Sequence, residues 1–109
     1  MPAPNENGLG QSLFSEIDKL IHEPARLKLV SQLYVVESAD FVFLMRMTDL
    51  TWGNLSTHLS KLESAEYVNI EKTFKGKKPQ TVISLSEKGR NAFWEYKKKL
   101  QKVLDDLPD

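Results

Sequence analysis

Lys72, Lys75, Lys77 and Lys78 fall within seven residues, and a run of small, hydrogen-bonding residues precedes them: Gly53, Asn54, Ser56, Thr57 and Ser60, followed by Lys61. Ammonium groups crowded this closely attract phosphate, whereas hydroxyl and amide side chains can contact either phosphate oxygens or base edges. Lysine without arginine favours attraction of the backbone over two-pronged reading of a base. Each feature alone has a plainer reading, as a solvated helix face or as charges that keep a hairpin edge soluble. Their conjunction gives the functional reading its weight.

The 109 residues carry fifteen Lys/Arg and fifteen Asp/Glu, so the net charge is zero, but the signs are segregated. Residues 1–50 hold four basic against seven acidic side chains, residues 51–102 eleven against five, and residues 103–109 add three aspartates. A neutral total therefore conceals one basic stretch, and the local field is what attracts a polyanion. There is no cysteine, which excludes a disulfide framework, a thiolate metal site and a thiol nucleophile. Ser, His and Asp occur without a nucleophile elbow, a glycine-rich phosphate loop or a metal-type carboxylate cluster, so nothing supports catalysis or a cofactor. His58 reads as a packing or backbone-bonding residue and His22 as a helix-terminal one. No apolar run is long enough for a membrane span, and MPAPNENGLGQ lacks the features of a signal peptide, so a soluble, cytoplasmic protein without a membrane partner is expected.

The elements that must position these side chains follow from periodicity. Residues 1–11 read as a loose N-terminal tail and residues 12–109 as one domain. Ser12 caps an expected first helix through Leu13, Phe14, Ile17, Leu20 and Ile21, which Pro24 ends. A second helix spans Pro24 to Val36 with Leu29, Val30, Leu33 and Tyr34 inward, and Ser38 caps a third over Ala39 to Met47. Thr51 caps a fourth reaching Ala65, with Leu55, Leu59 and Leu62 as its buried stripe. The three residues between helices three and four make a helix-turn-helix. After Ala65 the period falls to two, with Gly76 and Pro79 at the tip of a hairpin. Ser86 opens a last helix to about Leu107, in which Phe93, Tyr96, Leu100, Val103 and Leu107 form an a/d seam. The expected class is α+β, mainly α: a winged helix-turn-helix with a two-stranded β-hairpin wing and a long C-terminal helix.

The stretch LTWGNLSTHLSKLESAEYVNIEKTFKGKKPQTVISLSEKGRNAF, Leu50 to Phe93, resembles the winged-helix regulators related to the multiple-antibiotic-resistance (MarR) and arsenical-resistance (ArsR) repressor families. It is most similar to a subgroup of short chains with L-T-x-G-N-L-S-x-H-L on the recognition helix and P-x-T-x-x-x-L-[ST]-x-x-G after the wing. Glu66 departs from the pattern, since such proteins usually have Gly at that helix exit. The resemblance implies a homodimeric, sequence-specific regulator of double-stranded DNA, expected to be a repressor, that pairs through its terminal helices.

The expected DNA contacts are Thr51, Trp52, Gly53, Asn54, Ser56, Thr57, Ser60 and Lys61, with Lys72, Lys75, Lys77 and Lys78 on the wing. Lys88 and Arg90 would extend that footprint. Trp52 has two readings, packed on Phe41 or at the DNA edge. The a/d seam also has two readings, folding back on the first helix or pairing two chains. The second is favoured, which places Leu13, Phe14, Ile17, Phe93, Tyr96, Leu100, Val103 and Leu107 at a dimer interface. An effector is undetermined, with Tyr34, Phe43, Trp94 and Tyr96 as candidates to line its pocket. The competing reading is a winged-helix protein-interaction module without DNA binding.

Overall fold

Residues 14–109 are described in the computed structural model, so the tail at 1–11 and the expected cap Ser12 with Leu13 lie outside the described residues. The elements run α1 (Pro24–Val36), β1 (Ser38–Asp40), α2 (Phe41–Thr48), α3 (Trp52–Ser64), β2 (Val68–Lys75), β3 (Lys78–Leu85) and α4 (Glu87–Asp106). Local chemistry explains most boundaries. Pro24 occupies the first turn of α1, where its missing N–H is no loss. Thr51 caps α3 by accepting from the Asn54 N–H at 3.2 Å, and Ser86 caps α4 by accepting from the Gly89 N–H at 2.9 Å.

Two expectations need correction. The expected helix from Ser12 to Pro24 does not run through: Phe14 and Ser15 are helical, but from Glu16 to Glu23 the chain turns and bends. Asp18 is the cause. One carboxylate oxygen accepts from the N–H groups of Leu20 and Ile21 at 2.9 and 3.2 Å, while the other accepts from the Tyr67 hydroxyl, so it holds a turn against the exit of α3. The sheet also has three strands in the order β1-β3-β2, not two. Ser38, Ala39 and Asp40 pair antiparallel with Ser84, Ile83 and Val82, so α2 starts later than expected and Asp40, not Ser38, caps it, accepting from the Phe43 N–H at 2.7 Å. That hydrogen bond holds the Asp40 carboxyl below its ordinary range despite partial burial. The corresponding bond from the Arg26 N–H does the same for Glu23, the cap of α1.

The core gathers Leu29, Val30 and Leu33 of α1, Leu44 of α2, Leu55, Leu59 and Leu62 of α3, Val68 and Ile83 of the sheet, and Phe93, Tyr96 and Val103 of α4. Burying each leucine stabilises the fold by about 1.5–3 kcal/mol. Rolling α3 to hide its polar side would expose three of them together, so the core fixes which side of α3 faces outward. The exit from α3 is equally constrained. Glu66 takes a left-handed conformation, φ 65°, and Ser86 ties the start of α4 to it, donating through its hydroxyl to the Glu66 carbonyl at 2.6 Å. Gly89 lies so close that a Cβ there would sit 2.1 Å from the Tyr67 carbonyl oxygen, the close approach that requires glycine.

Candidate nucleic-acid interface

Once its leucine stripe is buried, α3 leaves Gly53, Asn54, Thr57, Ser60 and Lys61 exposed and Ser56 half-buried. Ser56, Thr57, Ser60 and Lys61 line one open groove along the outer side of the helix, with Leu20 from the turn before α1 as its rim. A Cβ built on Gly53 meets nothing within 4 Å, so packing within the chain does not explain a residue that weakens a helix. The Thr57 hydroxyl donates to the Gly53 carbonyl at 3.0 Å. Its proton is thereby engaged, and what Thr57 offers outward is an oxygen acceptor and a methyl group.

Trp52 packs on one side and is open on the other. Its ring lies 4.3 Å from that of Phe41, yet the residue remains 63% exposed beside the helix start. The wing brings Lys72 to the same side, and Lys75 and Lys78 border a groove with Trp52. Val68, Ile70, Lys72 and Phe74 share one face of β2 by alternation. Val68 and Ile70 belong to the core packing, and Ile70 and Lys72 border a groove with Ser56 and Ser60 of α3. Lys75 and Lys78 are directly opposed across the ladder, and Gly76, φ 67°, makes the tip between them. All four wing lysines are exposed. Like charges opposed across a hairpin destabilise it slightly, and an anion at the tip would relieve that repulsion.

The remaining expected contacts divide. Lys88 lies 3.4 Å from the Glu66 carboxylate, at the back end of α3. Arg90 turns away from this surface: it donates to the Tyr34 carbonyl at 3.3 Å and lies over the Tyr34 ring. His58 does not bond to the backbone; its Nδ1 is 3.1 Å from the Arg26 guanidinium, which itself donates to the Leu20 carbonyl at 2.6 Å. This link fastens the α3 surface to the turn before α1. His22 meets the Tyr96 hydroxyl at 2.8 Å, and burial raises the Tyr96 phenol above its ordinary value.

Of the eight residues expected at a dimer interface, Ile17, Phe93, Tyr96 and Val103 are buried within the chain's own core. Leu100 is half-buried, Phe14 and Leu107 are exposed, and Leu13 lies outside the described residues. The seam is thus occupied internally over much of its length, and the exposed apolar residues are Trp94 and Leu104 of α4 and Leu107 just past its end. The four effector-pocket candidates do not converge: Trp94 and Tyr96 share a shallow groove on α4, Tyr34 packs on Phe93 at 4.9 Å, and Phe43 stands exposed on α2. Phe74, absent from the expected contacts, is 68% exposed. The one signal in the sequence is Lys72, a charged residue on the same face just before it. Among the described residues no helix is long and apolar enough to cross a membrane.

A family model described as a winged helix DNA-binding domain matches residues 25–104. An uncharacterized protein from Methanocaldococcus jannaschii is 36% identical over 78 residues, 72% of this chain and 85% of the relative. A transcriptional regulator homologue from Pyrococcus horikoshii OT3 superposes with a TM-score of 0.82 at 28% identity, covering 88% of this chain and 99% of that one. A MarR family regulator from Silicibacter pomeroyi shares the fold, with a TM-score of 0.63 at 17% identity over 88% of this chain and 64% of its own.

Proposed function

This chain belongs to the winged helix DNA-binding domain family, and from that premise we propose that it is a homodimeric, cytoplasmic transcriptional regulator that binds duplex DNA sequence-specifically. In this reading α3 enters the major groove and the lysine wing lies against the flanking backbone. The observation that carries it is the outer side of α3, uncovered from Gly53 to Lys61 and built from small side chains, while the opposite side is locked by three buried leucines. A helix with side chains is about 10–12 Å across and the major groove about 12 Å wide, so a lightly built face lets the backbone approach base edges. AbfR, a neighbour in fold, has been solved bound to DNA. One such helix reads only a few base pairs, and two-fold pairing doubles the contact. The exposed apolar residues available for that pairing are Phe14, Trp94, Leu104 and Leu107. A dimer lying across a promoter excludes other proteins, so repression follows from occupancy.

The exposed rings of Trp52 and Phe74 beside the same surface favour a second reading, an apolar docking site for another protein. Selection from random duplex DNA followed by a salt titration separates the two. Each phosphate contact lowers log K by about 0.9 per decade of salt. Replacing Lys77 and Lys78 by Ala in both protomers should therefore reduce the slope by about 3.6 while weakening all sequences alike. Thr57→Val should instead alter sequence preference. A selection that returns no consensus, together with a flat salt response, would favour the docking reading.

A further inference from the structure

The wing carries an apolar pair that phosphate attraction leaves unused. Phe74 lies directly opposite Pro79 across the β2–β3 ladder, and residues in register share a face. That face also carries Val68 and Ile70, which pack toward the core, and Lys72, which borders the groove along α3. Phe74 therefore continues the core-facing row past the end of the core, on the side of the uncovered helix. It is 68% exposed, with Lys72 on its own face and Lys75, Lys77 and Lys78 within four residues of it on the same hairpin. An apolar ring on a hairpin tip crowded with cations matches a partner with anionic edges and an apolar interior, and stacked bases behind phosphates have that composition. No arginine occurs from Thr51 to Gly89, so this wing cannot read a narrow minor groove with a guanidinium, the usual route to shape recognition there.

We propose that Phe74, backed by Pro79, acts as an apolar wedge in the minor groove beside the half-site, partly unstacking one base step and kinking the duplex. The wing then selects deformable pyrimidine–purine steps at a position where it makes no hydrogen bond to a base. This rests on the DNA-binding reading and adds to it a specificity determinant and a distortion of the DNA.

The experiment uses a duplex recovered by selection, labelled at both ends for energy transfer, with the native protein, Phe74→Ala and Phe74→Leu. Matched duplexes replace the step beneath the wing with TA or with a stiff A-tract. The native protein should kink the TA duplex by roughly 20–90° and prefer it over the A-tract by about tenfold or more. Phe74→Ala should lose the kink and most of the preference while keeping the salt slope, and Phe74→Leu should retain both in part. Equal kinking and preference in native and Phe74→Ala proteins overturns the wedge. So does a smaller sedimenting mass for free Phe74→Ala, which would put the ring in a contact between copies. Binding to phosphatidylglycerol vesicles that Phe74→Ala abolishes, with DNA bending unchanged, also overturns it. Absence of any duplex binding by the native protein refutes the regulator reading itself and is distinguishable from all of these.

Discussion

Replacing Gly53 by Ala separates stability from function more cleanly than any other substitution at the interface. The added methyl meets no atom of the chain within 4 Å, so the folded state gains helix propensity without a clash, at most about 1 kcal/mol. If α3 lies in a groove, the same methyl projects toward the DNA backbone. Gly53 is in the first turn, where N–H groups lack partners within the helix and are suited to a phosphate. A charge-assisted hydrogen bond is worth about 1.5–3 kcal/mol, so blocking that approach should weaken DNA binding by roughly ten- to hundredfold. Chemical denaturation gives the first quantity and fluorescence anisotropy on a selected duplex the second. A variant that is more stable and binds as well as the native protein would show that this end of α3 does not approach the backbone, and would remove the reason given for glycine there.

Two further predictions concern the exit of α3. Glu66 holds a left-handed conformation that costs an ordinary residue about 1–2 kcal/mol, while its ion pair with Lys88 is solvent-exposed on both sides and contributes little. Glu66→Gly should thus stabilise the fold by about 1 kcal/mol, raising the thermal midpoint by roughly 5 °C with DNA affinity unchanged; a lower midpoint would refute this. Tyr67 is held up to about 12 by burial, and then by its bond to Asp18. Because that value lies above the unfolded one, its contribution to stability is complete below pH 10 and is lost as pH rises from 10 toward 12. Tyr67→Phe should be less stable below pH 10 and lose less stability across that window. Parallel stability curves for the two proteins would contradict the assignment.

Much of the site was legible because it depends on local chemistry. Thr51 as a cap, the spacing of Leu55, Leu59 and Leu62, and the glycine at the wing tip each act within a few residues, so the phase of α3 and the position of the lysines could be read directly. Trp52 was undecidable from sequence because a large ring at a helix start can pack on one edge while exposing the other, as this one does against Phe41. The exposure of Phe74 is harder to read, because alternation says which face a residue shares, and only the charge of Lys72 hints at how far the core reaches.

The sequence by itself determined α1, α3, the hairpin and α4, together with the segregation of charge, since propensity, capping and periodicity are properties of neighbouring residues. Tertiary structure decided the rest. Ser38–Asp40 became a strand only because the edge of β3 was available to pair with it, and three residues carry too short a pattern to announce that. The helix expected before Pro24 ends early because Asp18 finds both nearby N–H groups and a distant tyrosine. The seam of α4 turns inward because side chains remote in sequence were there to cover it, and periodicity records that a face is apolar without recording what it meets.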